Sequence, residues 1–419
     1  VTQGLPFSWL LPEDAEAYAC DDALRTVELV PTLLAKMQPA TREVYELEVS
    51  ICGDTLLMEV AGIPADADWM RAEAQRLQSK LLLVERLFYD EVAKRTGVDA
   101  QAVRRMYPMN SPKKVETLLY DVLRLEAAKA TKGGARSTDE DALLIHRANE
   151  DVVNYLLTWR ELRTRSNAFY MRMVDNVASD GRIYPAWKQA GQAAGRMSTE
   201  SPSVHNFPDT ARWLLKVGDS VVVLESPQRR GIIAPDGFQL VYADYSQIEY
   251  RVIAGLTQCK HLLNLYAKGV DMHAATYAFC FEVPIDTVTE EQRRIGKTIN
   301  FALVYGMGPE RLYRKLEGRF TRDQAKKIHK RYLDMLPEVV AYRDAIGAQA
   351  EKTHRVVSLF GRVVSVEEFA RGDRVGGRRA AFNNQVQATA ADILKLAVRD
   401  SRHLRDRFGA KLVMTHHDA

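Results

Sequence analysis

Three groups of residues in this 419-residue chain have the types and spacing to do chemistry. In Val241-Tyr242-Ala243-Asp244-Tyr245-Ser246-Gln247-Ile248-Glu249-Tyr250-Arg251, an apolar stretch of strand character ends on a carboxylate, and a helical pattern begins within a few residues. A carboxylate at a strand end is exposed yet rigidly held, as an oxygen ligand for magnesium must be. The segment Lys411-Leu412-Val413-Met414-Thr415-His416-His417-Asp418-Ala419 has the same form, with Asp418 lying 174 residues beyond Asp244. Paired carboxylates on adjacent strands can hold two magnesium ions about 3.5–4 Å apart, one activating an attacking hydroxyl and one stabilising a leaving pyrophosphate. The third group is Arg293, Lys297, Phe301 and Tyr305, spaced four apart along a helical pattern that runs from Arg293 to Gly306. Each is turned by about 40° from the last, so two cations and two aromatics share one broad stripe. Such a stripe can hold an anion at one end and stack a flat ring at the other, as the phosphates and base of a nucleotide require. Each group also has a plainer reading: Asp244 as a helix cap, and the stripe as a cationic surface passing into a buried aromatic face.

The elements that must position these residues are mostly helices. Apolar residues recur at helical spacing from Asp14 to Met37 and again from Asp66 to Arg95, a longer helix bounded by Gly62-Ile63-Pro64 and Gly97. Asn110-Ser111-Pro112 opens a helix over Lys113–Leu125, and Lys132-Gly133-Gly134 reads as a flexible tip. Ser137 with Glu140 fits a capping box, which predicts a long helix from Asp141 to Tyr170. Val221–Glu225 and Phe238–Ala243 are β-like, helical periodicity returns from Gln247 to about Ala350, and Val356–Phe369 reads as a hairpin. A last long helix over Arg378–Arg405 leads to a strand over Lys411–His416. The fold class is therefore α+β and helix-rich, with more than one lobe expected at this length.

Composition narrows the function. With 46% hydrophobic, 27% charged and 8% aromatic residues, the chain is neither collagen-like nor disordered. Its net charge of +3 conceals an uneven distribution: Arg311–Ala380 holds 17 Lys+Arg against 9 Asp+Glu. That polarity suits a partner that is anionic along one side, such as a nucleic-acid backbone, or else a solvated helical face. The four cysteines Cys20, Cys52, Cys259 and Cys280 are scattered, without the close spacing of a zinc site or a disulfide framework. No apolar run approaches the roughly 18–20 residues of a membrane span, so a cytoplasmic protein is expected. Lacking an initiator Met, the chain is treated as a fragment.

Taken together and in order, these residues closely resemble the family A DNA polymerases. Asp244 to Arg251 resembles the family's first palm motif, Arg293 to Gly306 its fingers helix, and His417-Asp418 its third motif. Gly195-Arg196-Met197-Ser198-Thr199 with Pro202 and Asn206-Phe207-Pro208 is similar to its minor-groove strand, and Phe382 to Asp392 to another DNA-contacting helix. Lys132-Gly133-Gly134 with Ser137-Thr138 resembles the thumb tip, and Trp159-Arg160-Glu161-Leu162 the helix that grips the duplex. Tyr18 to Ala23 resembles the last motif of the proofreading exonuclease, whose earlier carboxylates would lie upstream of Val1, so no proofreading is expected of residues 1–419.

The resemblance implies a right hand with a palm antiparallel sheet, helical fingers and a helical thumb. Residues 1–40 would be the exonuclease remnant, 41–170 the thumb, 171–251 and 378–419 the two parts of the palm, and 252–377 the fingers. It implies a DNA-templated DNA polymerase that acts as a monomer on primer–template DNA and deoxynucleotides, with replisome accessory proteins as candidate partners. Asp244 and Asp418 would hold two Mg2+ ions, and Arg293, Lys297 and His273 would bind the triphosphate. Lys297 would also donate a proton to pyrophosphate. Phe301 would pack on sugar and base, Tyr305 would guard the template side, and Gln247 would line the nucleotide site. Glu249 would exclude the ribose 2′-hydroxyl, and Phe301 in place of Tyr implies poor use of dideoxynucleotides. Arg160, Lys132, Ser137, Arg196, Asn206, Arg379, Asn383, Gln387 and His417 would contact DNA. The chain departs from the family at Ala419, where Glu is usual, at Ala302, Ser203, His205 and Asn384-Gln385, and in the length of Arg212–Gly231. Two alternatives stand beside it: a phage-type RNA polymerase, which Glu249 and the Tyr18–Asp22 segment speak against, and, given the lost carboxylate at Ala419, a non-catalytic DNA-binding or assembly protein derived from a polymerase.

Overall fold

A computed structural model describes residues 12–131, 133–205, 210–217, 220–317 and 319–416. Two helical bodies dominate it, each with its own core. The first is organised by the helix Ala67–Thr96, within a residue of the expected bounds. Asp66 accepts a hydrogen bond from the Trp69 amide at 2.8 Å, and Gly97 closes the helix at φ 70°, a left-handed geometry that a Cβ disfavours. Between those caps, Met70, Leu77, Leu81, Val84, Phe88 and Val92 form a buried stripe. It packs on Val152, Val153, Leu156 and Leu162 of the helix Asp151–Arg163. In the second body, Ile253, Leu262, Ile299, Leu303, Ile328, Tyr332, Phe382 and Val386 bring the helices Ile248–Thr257, Glu290–Leu303, Arg322–Met335 and Arg374–Asp400 around one core.

The helix expected over Asp141–Tyr170 is broken in two. Its capping residue is Asp139, not Ser137: the Asp139 carboxylate accepts from the Ala142 amide at 2.8 Å and opens only the short helix Glu140–Leu143. A second helix begins at Asp151 and continues as a π-helix over Thr164–Met171. Ser137 is buried, its carbonyl accepting from the Tyr120 hydroxyl at 2.5 Å.

The helix-rich α+β class holds, but among the described residues the antiparallel structure comes as four separate two-stranded ribbons. They pair Ile63–Pro64 with Arg182–Ile183, Ala186–Lys188 with Ser198–Glu200, Ala211–Val217 with Ser220–Ser226, and Arg355–Val357 with Val363–Ser365. The strands expected at Phe238–Ala243 and Lys411–His416 do not form. A strand is sustained by its ladder, and among the described residues neither segment has one, which leaves Val241 90% exposed. The ribbon Ala211–Ser226 accounts for the unusual length of Arg212–Gly231. It docks on the helix Asp151–Arg163 through Trp213, whose indole N–H donates to Glu161. Asn154 donates to the Leu214 carbonyl at 3.0 Å and the Tyr155 hydroxyl to that of Lys216, so side chains cover part of the ribbon's open edge.

A buried ion cluster ties the helix Pro39–Ser50 to the helix Arg374–Asp400. Arg362 binds Asp392 at 2.8 Å and Glu48 at 2.5 Å, and Lys395, itself 1% exposed, also binds Glu48. Asp392 is wholly buried and accepts a further bond from Ser358 at 2.8 Å. Removing one partner from such a cluster leaves an uncompensated buried charge. Asp392→Ala is therefore expected to lower stability by about 3–5 kcal/mol in urea unfolding. A loss below about 1 kcal/mol would mean that solvent already screens the cluster.

Candidate functional site

The chain enters the helix Ile248–Thr257 through Gln247, which takes the N-cap position at φ 56° without a side-chain cap bond. Asp244 is therefore not used as the cap. It is exposed and, among the described residues, pairs with no cation. The Gln247 side chain is held from the other side by the Tyr266 hydroxyl at 3.0 Å. One residue into the helix, Glu249 receives two donors: the Arg196 guanidinium on one carboxylate oxygen and the Tyr305 hydroxyl on the other. A carboxylate gripped from both sides has one orientation.

Across from Glu249 lies the helix Glu290–Leu303, opened by a reciprocal capping box between Thr289 and Gln292. Gly296 lets it lie close against the helix Met272–Phe281, because a Cβ there would stand 2.1 Å from the His273 carbonyl oxygen. Its buried face carries Ile299, Asn300 and Leu303, which turns Arg293, Lys297 and Phe301 outward; the helix stops at Leu303, so Tyr305, expected as the fourth member of that stripe, lies in the turn beyond it and reaches Glu249 instead. Arg293 binds Asp271 at 2.9 Å, and Asp271 caps the helix Met272–Phe281 through the Ala274 amide at 2.7 Å. Lys297 is exposed, its ammonium 5.9 Å from the Phe301 ring centre. The His273 ring lies 5.9 Å from Phe301 and that of Tyr250 6.4 Å. Burial pushes the His273 imidazole below its ordinary pKa; Asp271 opposes this, and Arg293 and Lys297 add to it. The neutral ring is thereby favoured.

Arg379, Asn383 and Gln387 recur every fourth residue and share one face of the helix Arg374–Asp400. Arg379 is exposed beside Gly306, and the Asn383 carbonyl oxygen is buried with no hydrogen-bond partner among the described residues. Arg160 is not part of this assembly. It donates to the Thr138 carbonyl, next to the buried Ser137, and burial holds its guanidinium below the usual value. Asp418, His417, Lys132 and Asn206 lie outside the described residues.

The basic stretch 311–380 is partly neutralised. Arg314 and Arg311 reach Asp141 at 3.3 and 3.7 Å, Arg322 reaches Glu126 at 3.0 Å, and Arg378 reaches Glu351 at 2.7 Å. The first three contacts join the first helical body to the second. Among the described residues no three His, Cys, Asp or Glu side chains converge on a metal position. The oxygen donor at Asp244, exposed and unpaired by any described cation, suits a hard divalent ion. Sequence reasoning missed Asp271, the Glu249 grip and Asn300. Only Asn300 left a signal, as a polar residue between Ile299 and Leu303 on the apolar face of its helix.

Comparison with known proteins is specific. Residues 85–419 match DNA polymerase family A. The chain is 30% identical over 403 residues to DNA polymerase I of Pseudomonas aeruginosa, covering 94% of this chain and 41% of that protein. It is 31% identical over 366 residues to the thermostable DNA polymerase I of Thermus aquaticus, covering 86% and 41%. The chain thus spans about two fifths of the length of these relatives. Among solved structures, the POL domain of Pol1 from M. smegmatis, in complex with DNA primer-template and dNTP, superposes with a TM-score of 0.70 at 28% identity. That match covers 88% of this chain and 62% of the other.

Proposed function

Because the chain belongs to DNA polymerase family A, we propose that it extends the 3′ end of a DNA primer with deoxynucleotides on a DNA template, releasing pyrophosphate, in replication or repair. The observation that carries this reading is the outward stripe of Arg293, Lys297 and Phe301, with His273 beside it and Glu249 fixed by Tyr305 and Arg196. Phosphoryl transfer depends on positioning and charge neutralisation more than on covalent catalysis, and this stripe offers both.

In this reading Arg293, Lys297 and His273 hold the triphosphate, and Lys297 passes a proton to the leaving pyrophosphate. Phe301 stacks on sugar and base, Tyr305 bounds the template side of the new pair, and Gln247 lines the nucleotide site. Arg196, Arg379, Asn383 and Gln387 contact primer or template near the junction, and Arg160 and Ser137, with Lys132, Asn206 and His417, contact the DNA further out. Asp244 and Asp418 would hold two magnesium ions, which supply a more acidic attacking hydroxyl and charge neutralisation on the leaving oxygens. The protein works as a monomer in the cytoplasm; no described helix is long and apolar enough to cross a membrane.

The direct test is extension of a labelled primer–template by residues 1–419 with magnesium and the four deoxynucleotides. Tight primer–template binding without any extension would instead favour a non-catalytic DNA-binding descendant. Sugar selection gives a sharper test. With its carboxylate gripped from two sides, Glu249 cannot swing away from a 2′-hydroxyl. Glu249→Ala is expected to raise ribonucleotide relative to deoxynucleotide incorporation by roughly 10²-fold, while Glu249→Gln, which keeps the bulk, retains discrimination. Unchanged selectivity in the alanine variant would remove Glu249 from this role.

A further inference from the structure

Asn300 sits on the face of the helix Glu290–Leu303 turned away from Lys297 and toward the helix Met272–Phe281, and it has no solvent exposure. A buried primary amide is tolerated only when its donors and acceptor are satisfied. Here all are. Nδ2 faces the His273 Nδ1 atom at 3.0 Å and the Met272 carbonyl oxygen at 3.4 Å, and Oδ1 accepts from the hydroxyl of Thr276, itself wholly buried, at 2.9 Å. A carbonyl oxygen can only accept, so the amide atom turned to Met272 is the nitrogen, and the orientation of the amide follows from its surroundings. The second hydrogen of that nitrogen then points at His273 Nδ1. An Nδ1 that accepts a hydrogen bond carries no proton, so the neutral ring must carry its proton on Nε2.

We propose that Asn300, locked by Thr276, is the positioning residue that holds His273 as the neutral Nε2–H tautomer, so that the ring offers a donor to a phosphate oxygen of the incoming nucleotide. The inference rests on the function proposed above for His273, but its physical content is separate from it. The charged groups that face the ring are Asp271 from its own helix cap and Arg293 and Lys297 from the neighbouring helix, with Phe301 against the ring. The two cations disfavour an imidazolium, and so does Asn300: an Nδ1–H would point at an N–H. A ring in the other tautomer would turn a lone pair toward the triphosphate and repel it. The pairing is invisible in sequence because the two residues are 27 positions apart, and Asn300, though conspicuous as a polar residue on an apolar face, does not show which residue it faces.

The test is the nitrogen–proton correlation spectrum of 15N-histidine-labelled protein at pH 8, with the His273 signal identified by its loss in His273→Gln. The wild type is expected to show Nε2–H alone, and Asn300→Ala a mixture of tautomers. Thr276→Val, which keeps volume and removes only the hydroxyl, is expected to lie between the two. In primer extension, Asn300→Ala should raise the deoxynucleotide KM about 10-fold with a smaller change in kcat. His273→Ala should do the same, and the double variant should be no worse than His273→Ala alone. A merely structural role would multiply the two effects. The proposal is overturned by an Nδ1–H or evenly mixed ring in the wild type, which needs no variant to fold, by an unchanged tautomer in Asn300→Ala, or by multiplicative kinetic effects. If the wild type does not extend primers at all, the functional reading fails while the spectrum still decides the role of Asn300.

Discussion

Asp244→Ala is expected to reduce primer extension by roughly 10⁴-fold while leaving primer–template affinity unchanged or slightly tighter. The size follows from the chemistry proposed for this carboxylate. Holding a divalent cation against a reacting phosphate is worth several kcal/mol of transition-state stabilisation, and about 1.4 kcal/mol corresponds to each tenfold in rate. The sparing of affinity follows from electrostatics. Asp244 is an exposed anion with no described cationic partner, so its removal breaks no ion pair and takes one negative charge away from a surface that must approach a polyanion. Single-turnover extension beside equilibrium binding to the same labelled duplex separates the two effects. Extension within about tenfold of wild type would sink the assignment of Asp244, whereas parallel losses of extension and binding would make it a folding or docking residue instead. Asp244→Glu is a useful companion, because moving the oxygens by one methylene should recover only a small part of the rate.

Much of this was legible wherever the controlling interactions are local. The helix Ala67–Thr96 announces itself because its stripe from Met70 to Val92 and both of its caps, Asp66 and Gly97, are adjacent in sequence. Helical spacing alone aligns Arg293, Lys297 and Phe301, and the structure turns them outward, but the same spacing carries Tyr305 one turn too far, because the helix ends at Leu303. Local signals fail where two of them compete. Ser137 and Asp139 are both good caps, and the structure uses the later one; the helix it opens ends at Leu143, and a second begins only at Asp151. They fail more completely where the partner is distant. Phe238–Ala243 and Lys411–His416 have strand composition, yet a strand needs a ladder, and no described segment supplies one. The grip on Glu249 joins positions 53 and 56 residues apart, and the Arg362–Glu48 pair spans 314. Nothing in the sequence near Glu249 or Asp392 marks them as fixed, because what fixes them is brought in by tertiary packing.

Lys297 carries the second large effect. Lys297→Ala is expected to lower kcat about 10³-fold and to raise the deoxynucleotide KM about tenfold, in line with the loss of a general acid together with one phosphate contact. The two components can be separated because Lys297 stands in an open position: its ammonium is exposed, it forms no ion pair among the described residues, and it lies 5.9 Å from the centre of the Phe301 ring. An arginine therefore fits there without breaking anything. Guanidinium keeps the positive charge and the phosphate contact, but it does not release a proton in a protein. If Lys297 acts as the acid, Lys297→Arg restores KM and leaves kcat low. If it acts only as a charge, arginine restores both. Arg293 supplies the internal comparison, since its guanidinium is already drawn to Asp271 at 2.9 Å and never acts as an acid. Its alanine variant should raise KM with a much smaller change in kcat than Lys297→Ala. The same split in both alanine variants would mean that the stripe neutralises charge and does nothing more.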